Sequence, residues 1–135
     1  MLLVALDRTD LEQLVGQLRT AREQLVAAID ARLHQHGLEH HNEAALPRRA
    51  QDTDDDATAE TQRNADVSAL TRATRELTQV EAALRRVADG SFGLCVDCEE
   101  PIERARLRAH PAASRCTECQ GFAERAAQHA ARTHN

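Results

Sequence analysis

Between Thr9 and His36 the chain repeats one pattern. Leu11, Leu14, Leu18, Ala21, Leu25 and Ala28 recur at alternating steps of three and four, and Val15 and Ile29 widen the stripe. That spacing predicts an amphipathic helix with a coiled-coil-like seam over about 9–36. Asp10 or Thr9 suits the cap, Glu12 suits the positive end of the helix dipole, and Gly37 is a natural stop.

The periodicity dissolves from Gly37 to Thr53, where Pro47 blocks a continuous helix. The acidic run Asp52, Asp54, Asp55, Asp56 reads as a turn or loop just before a second helix, expected from Ala57 to Ala88. Leu70, Ala73, Leu77, Val80, Leu84 and Val87 give that helix a seam of about two and a half heptads. Asp89 and Gly90 end it. Two helices with one apolar stripe each bury those stripes most simply against each other. The expected fold class is therefore all-α, with an antiparallel coiled-coil hairpin over 1–90. At 1.5 Å per residue each arm spans roughly 40–50 Å, with the acidic run at its tip. A dimeric four-helix bundle satisfies the same stripes.

The remaining segment, 91–135, holds all four cysteines, both aromatic residues and two of the three prolines. A helix is expected from Cys119 to Thr133. Cys95 and Cys98 are separated by two residues, as are Cys116 and Cys119, with seventeen residues between the pairs. A Cys-x-x-Cys turn aims two sulfurs at one metal, and two such turns complete a tetrahedral zinc site. Four thiolates leave no position for water, so the expected zinc is structural. It would supply folding energy to a small module with little core of its own. Two disulfides or two redox pairs are the competing reading. His34, His36, His40 and His41 cluster near the end of the first helix and read as solvated loop and helix-end residues, with a second metal site as the competing reading.

Composition supports a helical chain with a small core. Only Phe92 and Phe122 are aromatic among 135 residues, which leaves few anchors for a large core. All 17 basic residues are arginine. The formal net charge of −5 argues against non-specific DNA binding as the main task. The longest apolar run, Met1 to Leu6, is far short of the roughly 20 residues that span a bilayer. No basic region precedes it, so it does not read as a signal peptide, and a cytoplasmic chain is expected. No nucleophile–base arrangement, phosphate loop or open metal site suggests an enzyme.

The acidic run has two readings. The helix dipole alone accounts for carboxylates at a helix start. On the end of a stalk, however, they also form an acidic probe for a metal ion or basic cleft in a partner.

Phe92-Gly93-x-Cys95-x-x-Cys98, then Ile102, Arg106-Leu107, Ala109, Pro111, Ala113 and Cys116-x-x-Cys119, resembles the DksA/TraR family of bacterial transcription regulators. The family's tip pattern, Asp-x-x-Asp-x-Ala, is matched by Asp52, Asp55 and Ala57. The resemblance implies a chain that binds RNA polymerase directly and not promoter DNA. It implies a coiled-coil tip inserted in the secondary channel, with Asp52 and Asp55 acting near the catalytic centre and Ala57 shaping the tip. The zinc module and C-terminal helix would dock on the polymerase rim, and the expected state is a monomer with one zinc.

Three departures qualify the resemblance. The segment before the first helix is short, as in the short members. Thr53 replaces the proline common after the first tip aspartate. Gln79, His110 and Gln120 stand where long members carry basic residues for guanosine tetraphosphate, and Arg72 alone stays basic. Losing permanent cations removes much of the attraction for a multiply charged nucleotide, so little dependence on it is expected. The alternative functions are a zinc ribbon that contacts nucleic acid through Arg104, Arg106, Arg108 and Arg115, and a coiled-coil adaptor.

Overall fold

The computed structural model describes residues 6–36 and 53–133. Four helices follow in order: α1 (Arg8–His36), α2 (Thr53–Asp89), α3 (Arg104–Ala109) and α4 (Thr117–Thr133). Among the described residues the only β pairing is one isolated antiparallel bridge, Leu94 with Pro101. The fold class is all-α, as the stripes predicted. Gly37, His40, His41, Pro47 and Asp52 lie outside the described residues.

The start of α1 is capped by Asp7, not by Thr9 or Asp10. Its Oδ1 accepts the backbone N–H of Asp10 at 2.8 Å, and its carbonyl accepts that of Leu11 at 2.9 Å. The aspartate one turn earlier is better placed because a cap serves the amide three residues on. The start of α2 also differs from expectation. The helix begins at Thr53, so Asp54, Asp55 and Asp56 form its first turn instead of a preceding loop. Acidic residue types are generally favoured in the first turn of a helix, so this stretch of sequence is compatible with helix.

The chain forms two compact units: residues 1–20 with 79–135, and residues 21–78. In the second, α1 and α2 meet antiparallel. Arg32, near the end of α1, bonds Asp66, near the start of α2, at 3.3 Å. Ala21, Leu25 and Ile29 of α1 and Leu70, Ala73 and Leu77 of α2 are half-buried there. Ala28, expected on the seam, is exposed, and the stripe runs through Ile29 instead. Leucine and isoleucine cover more apolar area than alanine, so the packing follows the larger side chains.

The first unit holds the main core. Leu14 and Leu18 of α1 pack in it with Val80 and Ala83 of α2, and Phe92, Ile102, Leu107, Ala112 and Ala113 complete it. Ala83 is fully buried, whereas the expected seam residue Leu84 is only half-buried. A small side chain is what lets other elements approach α2 closely at that position.

The end of α2 is a Schellman turn. The amide of Ser91 bonds the carbonyl of Arg86 at 2.9 Å and that of Gly90 bonds Val87 at 3.4 Å. Gly90 takes φ +86°, which only glycine adopts without penalty. Asp89 fixes the turn by accepting both the amide and the hydroxyl of Ser91 at 3.0 and 2.7 Å. These bonds hold its carboxyl below the usual range.

Leu18, 1% exposed, tests this core. We expect Leu18→Ala to lower the unfolding free energy of the zinc-loaded chain by about 2–5 kcal/mol in urea titration. Val26→Ala, at an exposed α1 position, should change it by no more than about 0.5 kcal/mol.

Candidate metal centre

The residues after α2 build two cysteine turns and bring them together. In the first, Cys95 donates its amide to the carbonyl of Glu100 at 2.8 Å, and the amide of Glu99 returns to the carbonyl of Cys95 at 2.9 Å. Glu99 sits at φ +65° to close the turn. A left-handed conformation in a non-glycine residue costs about 1–2 kcal/mol, so the surrounding contacts hold this turn against strain. Gly93, at φ +93°, lies where a Cβ would come within 3.1 Å of Leu6. Its carbonyl accepts the amide of Ile102 at 2.8 Å, which anchors the segment leaving the turn.

The second turn opens α4. Cys116 stands just before the helix, and its sulfur accepts the amide of Cys119 at 3.4 Å. Its carbonyl accepts the amide of Gln120 at 2.9 Å. A sulfur carrying negative charge is stabilised there by the free amides of the first helical turn.

Two contacts join the turns. The amide of Val96 bonds the carbonyl of Ser114 at 2.9 Å. Arg115 donates Nε to Asp97 Oδ2 at 2.6 Å, linking a residue inside the first Cys-x-x-Cys to the residue before the second. Arg106 of α3 donates Nε to the carbonyl of Arg115 at 2.8 Å and so fixes the partner of that ion pair.

The result is a cluster in which all four cysteine sulfurs lie within 4.8 Å of one another. None is in a disulfide. A tetrahedron of sulfurs about 2.3 Å from zinc places them about 3.8 Å apart. The Cys98–Cys116 separation of 3.9 Å meets that requirement. The electrostatics agree. Burial pushes the Cys95 thiol up, but the surrounding backbone amides outweigh it and bring the thiol down to about 6. Burial, and then hydrogen bonding to the other three sulfurs, pushes Cys119 up. One sulfur thus ionises readily, while burial and its sulfur neighbours keep another in the neutral form. A divalent cation among the sulfurs favours the thiolate form of all four. The donor set is that of one closed, structural zinc.

The four arginines considered as a basic patch are engaged within the chain. Arg106 and Arg115 brace the cysteine turns. Arg104 and Arg108 of α3 reach Asp10 of α1 at 3.0 and 3.8 Å. Helix α3 is therefore a bracket, with Leu107 fully buried and arginines turned to both sides. Sequence reasoning missed this helix. Six residues are too few for a periodic signal, and the arginines were read for their charge instead.

Two further placements bear on the candidate residues. Asp55 and Ala57 lie at the start of α2, whereas Asp52 lies outside the described residues. Phe122, the second aromatic, is 58% exposed, with the guanidinium of Arg125 stacked 4.9 Å from its ring centre.

Helix α2, two cysteine turns and a helix opened by a metal ligand define an all-α protein carrying a four-thiolate zinc finger. Residues 90–125 match the prokaryotic dksA/traR C4-type zinc finger. The chain is 40% identical over 74 residues to the RNA polymerase-binding transcription factor DksA of Caulobacter vibrioides, covering 55% of this chain and 52% of that one. It thus spans about half the length of that curated relative. The transcription factor DksA2 of Pseudomonas aeruginosa superposes with a TM-score of 0.70 at 28% identity, over 90% of this chain and 88% of that one. The DnaK suppressor protein of Agrobacterium tumefaciens gives 0.53 at 25% identity, over 89% and 99%. The chain belongs to the DksA/TraR zinc-finger family.

The Asp97–Arg115 pair predicts a measurable effect at the metal. Partners that orient ligands typically contribute 10–100-fold in metal affinity. We expect Asp97→Ala to weaken zinc binding by about tenfold or more in competition with a chromogenic chelator. Glu118→Ala, at an exposed position of α4, should leave it unchanged.

Proposed function

We propose that this chain is an RNA polymerase-binding transcription regulator. It presents the acidic residues at the start of α2 to the polymerase secondary channel and alters the stability of initiation complexes. The observation that carries the reading is the 40% identity to an RNA polymerase-binding transcription factor over 74 residues, beside the zinc-finger match at residues 90–125. Asp52 and Asp55 supply negative charge beside magnesium and basic side chains in the polymerase active centre. Ala57 shapes the tip. The zinc module and α4 are the dock, and the chain acts without contacting promoter DNA. The engagement of Arg104, Arg106, Arg108 and Arg115 by groups of the same chain supports that last point.

The response to guanosine tetraphosphate is weak in this reading. Gln79, His110 and Gln120 offer no permanent charge for its phosphates. The side-chain amide of Gln120 is also turned to Glu124 Oε2 at 2.9 Å, beside a carboxylate that repels an anion.

The test is co-purification with bacterial RNA polymerase, followed by initiation in vitro from a ribosomal promoter. Wild type should bind and shift initiation. The Asp52→Asn, Asp55→Asn double variant should bind and leave initiation unchanged. Failure of wild type to bind would limit the family likeness to the fold. In the same assay, guanosine tetraphosphate should add little to affinity or effect, and a large gain would refute the nucleotide independence.

A further inference from the structure

Asp66 is the one buried charged residue among those described, and it stands in an apolar seam. Counting back from Leu77, Ala73 and Leu70, the next step of four falls on Asp66. On α1 the stripe Ala21, Leu25, Ile29 is followed three residues later by Arg32. Asp66 thus replaces a hydrophobic residue in the α2 seam, and on α1 Arg32 stands beside the half-buried Leu33, four residues on from Ile29. Arg32 and Asp66 meet there: Arg32 Nη1 lies 3.3 Å from Asp66 Oδ1, and Gln62 Nε2 donates to the same oxygen at 3.4 Å. The Asp66 side chain is 11% exposed and that of Arg32 37%.

Such a pair is a poor source of raw stability. Taking a carboxylate out of water costs several kcal/mol, and a surrounding charge only offsets it. Its effect is on alignment. Elsewhere this seam is leucine, isoleucine and alanine, and a seven-residue slip of α1 along α2 would still set apolar side chains against apolar ones. It would also part Asp66 from Arg32 and set Arg32 against an apolar partner. Only one register joins them.

We propose that Arg32 and Asp66 form a register lock. They are positioning residues that restrict α1 to one alignment on α2, and so fix where the acidic first turn of α2 stands within residues 21–78. The proposal is independent of what that turn contacts.

Three variants of the full zinc-loaded chain test it by thermal unfolding and two-dimensional amide NMR. Arg32→Leu alone removes the Arg32 guanidinium from a buried carboxylate that keeps Gln62, and should lower the melting temperature. The charge swap Arg32→Asp, Asp66→Arg restores an ion pair in the same register and should recover at least half of that loss. The double variant Arg32→Leu, Asp66→Leu should melt at or above the wild-type temperature. Its amides over residues 21–78, however, should show a second set of resonances at about a tenth of the main intensity or more, a minor population NMR reads directly. Wild type should show one set. A single wild-type-like set in the double-leucine variant would overturn the lock. So would a charge swap as unstable as Arg32→Leu, and this second criterion decides the matter if the double-leucine variant does not stay soluble.

Discussion

Four sulfurs within 4.8 Å of one another are the constraint on which the first unit depends. Thiolates at that separation repel, and neutral thiols gain little from the crowding, so the arrangement is stable only around a cation. The apolar side chains beside it are few. Phe92, Ile102, Leu107 and two alanines carry the module's own burial, and the bases of α1 and α2 supply Leu14, Leu18, Val80 and Ala83. A core of that size does not hold two irregular turns, one with a strained Glu99, without a cross-link. Zinc provides one, and the bonds from Arg115 to Asp97 and from Arg106 to Arg115 transmit its rigidity to α3.

The parts of this structure that were legible in the sequence share one property: they repeat. The stripes of α1 and α2 and the two Cys-x-x-Cys turns are regular in spacing, and each led to the element observed. What was missed depends on single residues. Asp7 caps α1 because of where the backbone turns, one position before the first helical residue. Ala83 is buried where Leu84 was expected because the close approach of other elements selects a small side chain. The Arg32–Asp66 pair was invisible because each half, taken alone, reads as the polar end of an apolar stripe.

Helix α3 shows how charge misleads when contacts are unknown. Arg104, Arg106 and Arg108 with Arg115 suggest a surface for nucleic acid when counted along the chain. In the fold their guanidinium groups face Asp10, the carbonyl of Arg115 and Asp97. Arginine suits this bracing because its fork holds direction as well as charge.

Cys116 serves the metal and also precedes the first residue of α4, with its sulfur facing the amide of Cys119. The seventeen residues of α4 are mostly exposed beyond Ala123, so tertiary burial contributes little to keeping them helical. An isolated helix of this length is marginal in water. Its nucleus is therefore set at the metal, where the first turn is already formed. The C-terminal helix becomes a reporter on the ion: whatever removes zinc erases the nucleation site and turns a folded arm into an unstructured tail.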